Sequence, residues 1–265
     1  MTANDGGYSL LKLVPTVLRA RGYRLYTQGG KRLVDLWLNG GAAILGHTPP
    51  NILREIKNTA SRGLFAPFPH FLQERFTSAL SRLLPGRSFR LYAAPPPQLE
   101  PLFNSGAAGL WRPFADPGSP FAVAANKPLL IPVLPGIHGW RGDLPLGLCV
   151  LAAQSENDFT PLPPGEFLSP VLLAAAARGI HDLLAAPARA NPAFPRISKA
   201  LQNSRWQRAG IYLSLKEKNE TAEWDSLFRK FLAAGFLLPP VPSHPLILPG
   251  ELSPGEESKL AAALG

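Results

Sequence analysis

The sequence predicts a mixed α/β protein, on three observations. Residues 23–38, YRLYTQGGKRLVDLWL, alternate apolar and polar around a Gln-Gly-Gly turn, the pattern of a β-hairpin. Helical apolar spacing recurs in NILREIKNTASRGL, HFLQERFTSALSRLL and SPVLLAAAARGIHDLLAA. Between those helices lie short apolar runs, SFRLYAA, KPLLIPVLP and LPLGLCVLAA, of strand length.

Taken in order, each element has a local cause. Pro49 and Pro50 suit the first turn of the first helix, where a missing N–H costs nothing. The second helix ends at Pro85-Gly86, and the prolines at 95–97 form a turn after the SFRLYAA strand. QLEPLFNSGAAGLWRPF holds a small-residue turn, which either opens a helix or is plain structure. In KPLLIPVLP, Pro132 points to an edge strand or a strand end. The last hundred residues read as an α+β unit: strand AGIYLSLKE, helix TAEWDSLFRKFLAAG capped by Gly235, strand FLLPPV and helix PGEESKLAAAL.

At 265 residues and 46% hydrophobic, the chain can bury a sizeable core, and its 30 prolines and 24 glycines are spread between apolar runs as turns. Cys149 is the single cysteine, which excludes an internal disulfide framework, and no Cys/His cluster has zinc spacing. MTANDGGYSLLKLV lacks the basic start and long apolar core of a secretion signal. FLSPVLLAAAARGIHDLLAA is broken by Pro170, Arg178, His181 and Asp182 and reads as a buried helix, not a membrane span. A cytoplasmic protein is expected, with no membrane partner.

The formal charge of +9 is concentrated near the start: residues 1–100 carry 13 Lys+Arg against 5 Asp+Glu. Nucleic-acid or anion binding is one reading of that excess. Against it, the cations are scattered, with no dense run and no interleaved aromatic platform.

Three features carry possible chemistry. Ser105-Gly106-Ala107 would aim backbone N–H groups at a phosphate if a helix begins there; otherwise it is a plain turn. His138, in the Gly136-Ile137-His138-Gly139 turn, has no second His or Cys at ligand spacing. His47 reads as a helix-entry residue. No lysine sits in a context that would desolvate it; Lys127 comes nearest, at the start of a strand.

In that order the pieces resemble the class III PLP-dependent aminotransferases of fold type I, the group that includes glutamate-1-semialdehyde aminomutase. RARGYRLYTQGGKRLVDLWLNGGAAILGHTPPNILREIK is similar to the family's N-terminal hairpin, with Gly-Lys-Arg-x-x-Asp at 30–35 and Ile-Leu-Gly-His at 44–47 as its specific parts. PLFNSGAAGLWRPF is similar to the phosphate-cradling F-x-N-S-G-T-E-A, with Ala107 and Ala108 in place of Thr and Glu. KPLLIPVLPGIHGW is similar to the strand and Y-H-G turn whose aromatic ring stacks on the pyridine, with Ile137 in place of that ring. DLPLGLCVLAAQ matches the strand after the Schiff-base lysine, and EFLSPVLLAAAARGIHDLL the helix that follows, with Glu166 where a family threonine reaches a phosphate.

The resemblance implies a gap. Between Trp140 and Leu144 the family inserts on the order of a hundred residues, which carry the pyridine-binding Asp and the Schiff-base lysine. It therefore implies a truncated three-layer core with a reduced, mostly parallel sheet, plus an α+β small domain built from both chain ends. The implied division is 1–60 as hairpin and helix of the small-domain region, 61–185 as the reduced large domain and 186–265 as the C-terminal small domain. The first strand and the strand after the lysine would be neighbours, with KPLLIPV closing up against them. Ser105, Gly106, Ala107, Ile137 and His138 would be what is left of the cofactor's phosphate and ring site. The implied function is a degenerate, non-catalytic binding module, a homodimer with no cofactor. The alternatives are a protein still binding PLP or another small phosphorylated ligand through an altered site, and anion or nucleic-acid binding by the basic N-terminal region.

Overall fold

The computed structural model describes residues 9–119, 121–122, 126–136, 148–186, 189, 192–217 and 221–265. They fall into two units. One joins both chain ends, Met1–Thr48 with Ala188–Gly265, and the other is the intervening Pro49–Pro187.

The first unit begins as a meander, β1 (Val17–Arg21) antiparallel to β2 (Arg24–Thr27), and β2 antiparallel to β3 (Arg32–Asp35). The Gln-Gly-Gly turn sits where the alternation predicts it. Thr27 closes it from both its N–H and its hydroxyl, at 3.0 and 2.8 Å from the Lys31 carbonyl.

The second unit is built from α1 (Pro50–Ala60), α2 (Phe71–Leu83), β4 (Ser88–Tyr92), α3 (Leu99–Asn104), β5 (Ala108–Trp111), β6 (Leu129–Pro132), β7 (Cys149–Ala153) and α4 (Pro170–Leu184). Its sheet runs in the order β4-β7-β6-β5. All five residues of β7 are buried, because both faces are covered. Val150 packs with Phe76 and Leu80 of α2 and with Leu173 and Ala177 of α4. Cys149, Leu151 and Ala153 pack on the other side with Leu99 and Phe159. A strand covered twice has no solvent side to alternate towards, hence its unbroken apolar run. In α4, Gly179 is needed for close packing: a Cβ there would lie 2.6 Å from the Pro135 carbonyl.

This sheet corrects one expectation and decides between the two alternatives for Pro132. It is not mostly parallel: β5 and β6 run parallel, while β7 is antiparallel to both β4 and β6. A parallel β6–β7 pair would need a crossover returning the chain to the opposite end of the sheet, generally a helix, whereas antiparallel neighbours need none. Nor is the Pro132 strand an edge, for β6 has a neighbour on each side. Pro132 is instead its last residue, beyond the β7 ladder, which engages only Leu129 and Leu130.

The chain then re-enters the first unit with α5 (Pro195–Leu201), β8 (Trp206–Ala209), β9 (Tyr212–Leu215), α6 (Thr221–Ala234), β10 (Phe236–Leu237), β11 (Leu246–Ile247) and α7 (Pro254–Leu264). β10 lies parallel to β3, while β8, β9 and β11 form a second, antiparallel sheet. Trp224, Leu227, Phe228 and Phe231 recur at helical spacing in α6 and are buried. Gly235, at φ +96°, stops the helix. The rings of Trp206 and Phe231 meet edge-on at 6.0 Å, and Phe231 meets Phe236 at 6.5 Å. No helix among the described residues is long and apolar enough to cross a membrane.

One ionic cluster ties the two ends of this unit together. Arg24 of β2 grips Glu256 of α7 with two hydrogen bonds, Nε to Oε1 at 2.9 Å and Nη2 to Oε2 at 2.7 Å, and reaches Glu251 at 3.0 Å. Arg32 adds a contact to Glu256 at 3.1 Å. Glu256 also completes the capping box of α7, accepting from the Ser253 N–H at 2.8 Å. Its partner Arg24 first, then Ser253, hold the carboxyl at about 2, below its ordinary 4.5. The folded chain thus binds this proton less readily than the unfolded one. The resulting stability is complete above about pH 4.5 and disappears as the pH falls towards 2. We expect Glu256→Gln to cost about 1–2 kcal/mol at pH 7, because it leaves half-buried Arg24 with Glu251 as its one remaining carboxylate. Urea midpoints at pH 7 and pH 3 check this: the variant should lose much of the wild type's acid sensitivity in that range.

Candidate functional site

Of the residues the sequence singles out, Ser105, Gly106 and Ala107 lie together in the turn between α3 and β5. Ile137 and His138 lie outside the described residues, within 137–147. No helix opens at this turn; α3 closes there. Ser105 donates its N–H to the Pro101 carbonyl at 2.9 Å and its hydroxyl to the Leu102 carbonyl at 3.1 Å. Gly106, at φ +80°, donates to the Phe103 carbonyl at 3.0 Å. N–H groups spent on the preceding turn are not presented to an anion, and a helix C-terminus carries the wrong end of the dipole for one. The turn instead offers a carbonyl, that of Gly106, which accepts from Lys127 Nζ at 2.8 Å.

Lysine placement bears directly on Schiff-base chemistry, which needs an amine out of water. Among the described lysines none is buried: Lys127 is half-buried and engaged as above, and the others are exposed. None of the described lysines is therefore in the water-excluded setting that such chemistry needs.

The end of β4 carries a second local arrangement. Glu166 donates its N–H to the Leu91 carbonyl and accepts from the Ala93 N–H through Oε2, both at 2.8 Å. The next turn, Pro95-Pro96-Pro97, has no N–H groups to give. A carboxylate of the chain itself already occupies the donor that an incoming anion would use. Beside it is a cleft of about 270 Å³ lined by Gln73, Thr77, Phe89, Arg90, Glu166 and Phe167. Arg90 does not serve it as a free cation, since its guanidinium lies over the Phe159 ring at 4.5 Å and donates to the Phe159, Leu162 and Pro163 carbonyls. Burial pushes the Cys149 thiol up to about 12, so it is no nucleophile at neutral pH. No His, Cys, Asp and Glu group among the described residues could hold a metal ion.

The first unit contains the polar constellation that sequence reasoning missed. His47 Nε2 meets Asp35 Oδ2 at 2.9 Å, and Asp35 Oδ1 accepts from the N–H groups of Trp37 and Leu38, both at 2.8 Å. The side chain of Asp35 is 3% exposed. Leu38 and Asn39 follow with φ of +49° and +50°, a left-handed conformation that a leucine adopts only when its surroundings enforce it. The Asp35 carboxylate is that enforcement. Its sequence signal was available: Asp35 ends the Gly-Lys-Arg-x-x-Asp run and His47 ends Ile-Leu-Gly-His, so the two motifs interlock through their last residues.

No family model matches the chain. It is 28% identical to an uncharacterized protein of Treponema pallidum (strain Nichols) over 284 residues, covering 88% of each chain. It is 42% identical to an uncharacterized protein of Borreliella burgdorferi over 67 residues, 25% of each. Among solved structures, ornithine aminotransferase from Plasmodium yoelii superposes with a TM-score of 0.68 at 12% identity, covering 94% of this chain and 92% of that one. An (S)-enantioselective omega-transaminase from Thermomicrobium roseum gives 0.65 at 12% identity, over 100% and 94%. Acetylornithine aminotransferase from Elizabethkingia anophelis gives 0.62 at 14%, over 98% of each. The chain has the fold of the PLP-dependent aminotransferases.

The clasp around Asp35 has a measurable weight. Asp35→Ala strands two buried N–H donors and a histidine, and should destabilise the protein by about 3 kcal/mol. Urea denaturation followed by tryptophan fluorescence measures it.

Proposed function

We propose that this chain is a degenerate member of the class III aminotransferases, serving as a binding or interaction module and not as a transaminase. The observation that carries the reading is the Ser105–Gly106 turn, whose N–H groups are committed to α3 and whose nearest lysine is committed to a carbonyl. The exposure of the other described lysines supports it further. That β6 pairs directly with β7, with residues 133–148 between them, supports the reading of PVLPGIHGWRGDLPLGL as a suture where a longer segment once lay.

Several cations of the basic excess have a structural use, which weighs against nucleic-acid binding. Arg24 and Arg32 pair with Glu256, Arg75 with Glu55, and Arg87 and Arg90 donate to carbonyls. A homodimer is part of the proposal. Phe65, Phe68 and Phe71, in and after the connection between α1 and α2, are 60%, 57% and 58% exposed, an apolar cluster that a second copy would cover.

Two measurements test this. Incubation with PLP followed by borohydride and peptide mass mapping should give no lysine adduct and no aldimine absorbance; a trapped adduct, at Lys127 above all, overturns the non-catalytic reading. Sedimentation equilibrium should give twice the 28.5 kDa chain mass. Replacing the three phenylalanines by serine should reduce it to one.

A further inference from the structure

A strand at the edge of a sheet presents main-chain donors and acceptors that folded proteins pair, cover or blunt. β4 is such a strand, at the end of the order β4-β7-β6-β5. Along an antiparallel ladder, successive residues turn their N–H and C=O alternately towards the partner strand and away from it. Leu91 gives its carbonyl to the Glu166 N–H at 2.8 Å, on the side away from β7. The β7 side agrees. Gln154 turns its N–H to the Pro128 carbonyl at 3.0 Å, just ahead of β6, which leaves Ala153, Leu151 and Cys149 turned towards Ser88, Arg90 and Tyr92 of β4. Phe89, in step with Leu91, therefore points its N–H and C=O outward.

The chain covers only part of that edge. Glu166 spans it from Leu91 to Ala93, accepting from the Ala93 N–H through Oε2 at 2.8 Å. Gly165 lies so near that a Cβ on it would sit 3.3 Å from the Leu91 carbonyl. At Phe89 the cover stops: its outward N–H and C=O have no hydrogen-bond partner among the described residues. The cleft of about 270 Å³ is found at this place, lined by Phe89 and Leu91, by Gln73 and Thr77 of α2, and by Gly165 to Phe167. Its two charged side chains are already engaged, Arg90 with the carbonyls of 159, 162 and 163 and Glu166 with Ala93. What the cleft offers is one N–H and one C=O on the same residue, the neutral amide of Gln73, and the ring of Phe167, which is 54% exposed.

We propose that this edge docks an extended peptide segment of another protein, uncharged at the docked residues and carrying an apolar side chain for Phe167, which adds to the sheet beside β4 as a fifth strand. An N–H and a C=O on one residue match the C=O and N–H of one residue of an incoming strand, a pairing that no simple ion offers. A second copy of this chain is the poorer occupant, because its own Phe89 edge lies within the same cleft and two recessed edges cannot meet. The site goes beyond the interaction role proposed above by naming a partner. It lies at the opposite edge of the sheet from β5 and the Ser105 turn, and stands whatever the borohydride experiment yields.

Panning a phage-displayed library of random peptides against the full chain tests the proposal, with Thr77→Arg as the counter-selection. That variant sets a long side chain in the cleft at a helix position that arginine suits. Peptides with alternating apolar positions and few charges are expected to be enriched. A capped synthetic copy of the most enriched one should bind the wild type saturably. Its binding should weaken about tenfold when its alternate amides are N-methylated, and by a similar factor against Thr77→Arg. The bound peptide should slow hydrogen exchange of the Phe89 amide about tenfold. Phe89→Pro deletes that outward N–H without removing a ladder bond to β7, and should weaken binding as N-methylation does. If it fails to fold, the exchange measurement on the wild type still decides. The proposal is overturned if no peptide is enriched over the Thr77→Arg control, or if the bound peptide leaves exchange at Phe89 unchanged. It is also overturned if Thr77→Arg turns a dimer into a monomer, which would assign the edge to a second copy.

Discussion

The paired hydrogen bonds from Arg24 to Glu256 are what make one unit out of two distant pieces of chain. The first piece is a three-stranded meander too small to bury its own face. The second brings β10 alongside β3 and sets α7 against β2. Glu256 serves at once as ion partner and as capping residue of α7, so the helix start and the sheet are fixed by one carboxylate. The loop after β3 holds its left-handed residues beside the Asp35–His47 clasp. Arg189 closes the same loop from the C-terminal side, through Ile44. Two of these three polar links, Arg24–Glu256 and Arg189–Ile44, join residues far apart in sequence, and they act beside the buried core of Trp206, Phe231 and Phe236.

The second unit is held differently. Its sheet is buried on both faces, and its polar groups mostly satisfy carbonyls at strand and helix ends. Arg87, Arg90, Tyr92 and Lys127 all donate to main-chain oxygens. These side chains are spent on the scaffold.

Much of the architecture was legible in the sequence because its causes are local. The Gln-Gly-Gly turn, the α6 spacing ended by Gly235, and the Pro254 start of α7 each follow from a few neighbouring residues. The resemblance carried the fold further than periodicity could, to the aminotransferase fold as a whole. What was not legible depends on direction and distance. Whether Ser105 opens or closes a helix turns on which carbonyls its N–H finds, and the same four small residues serve either end. The sense of β7 depends on the path between strands, not on the strand. Asp35 reads as the last residue of one motif and His47 as a residue ahead of a helix, because nothing in the pattern says that positions twelve apart touch.

The interleaving of the two units also sets an order of assembly on the ribosome. Residues 49–187 are contiguous and emerge together, so that unit can fold as synthesis proceeds. The meander that precedes it has to wait. Arg24 leaves the tunnel early and meets its carboxylate only after another 232 residues have been made. Throughout that interval the edges of the meander lack β10, and the apolar side chains of β3 lack cover. A nascent chain of this design leaves the meander uncovered until β10 and α7 have been made.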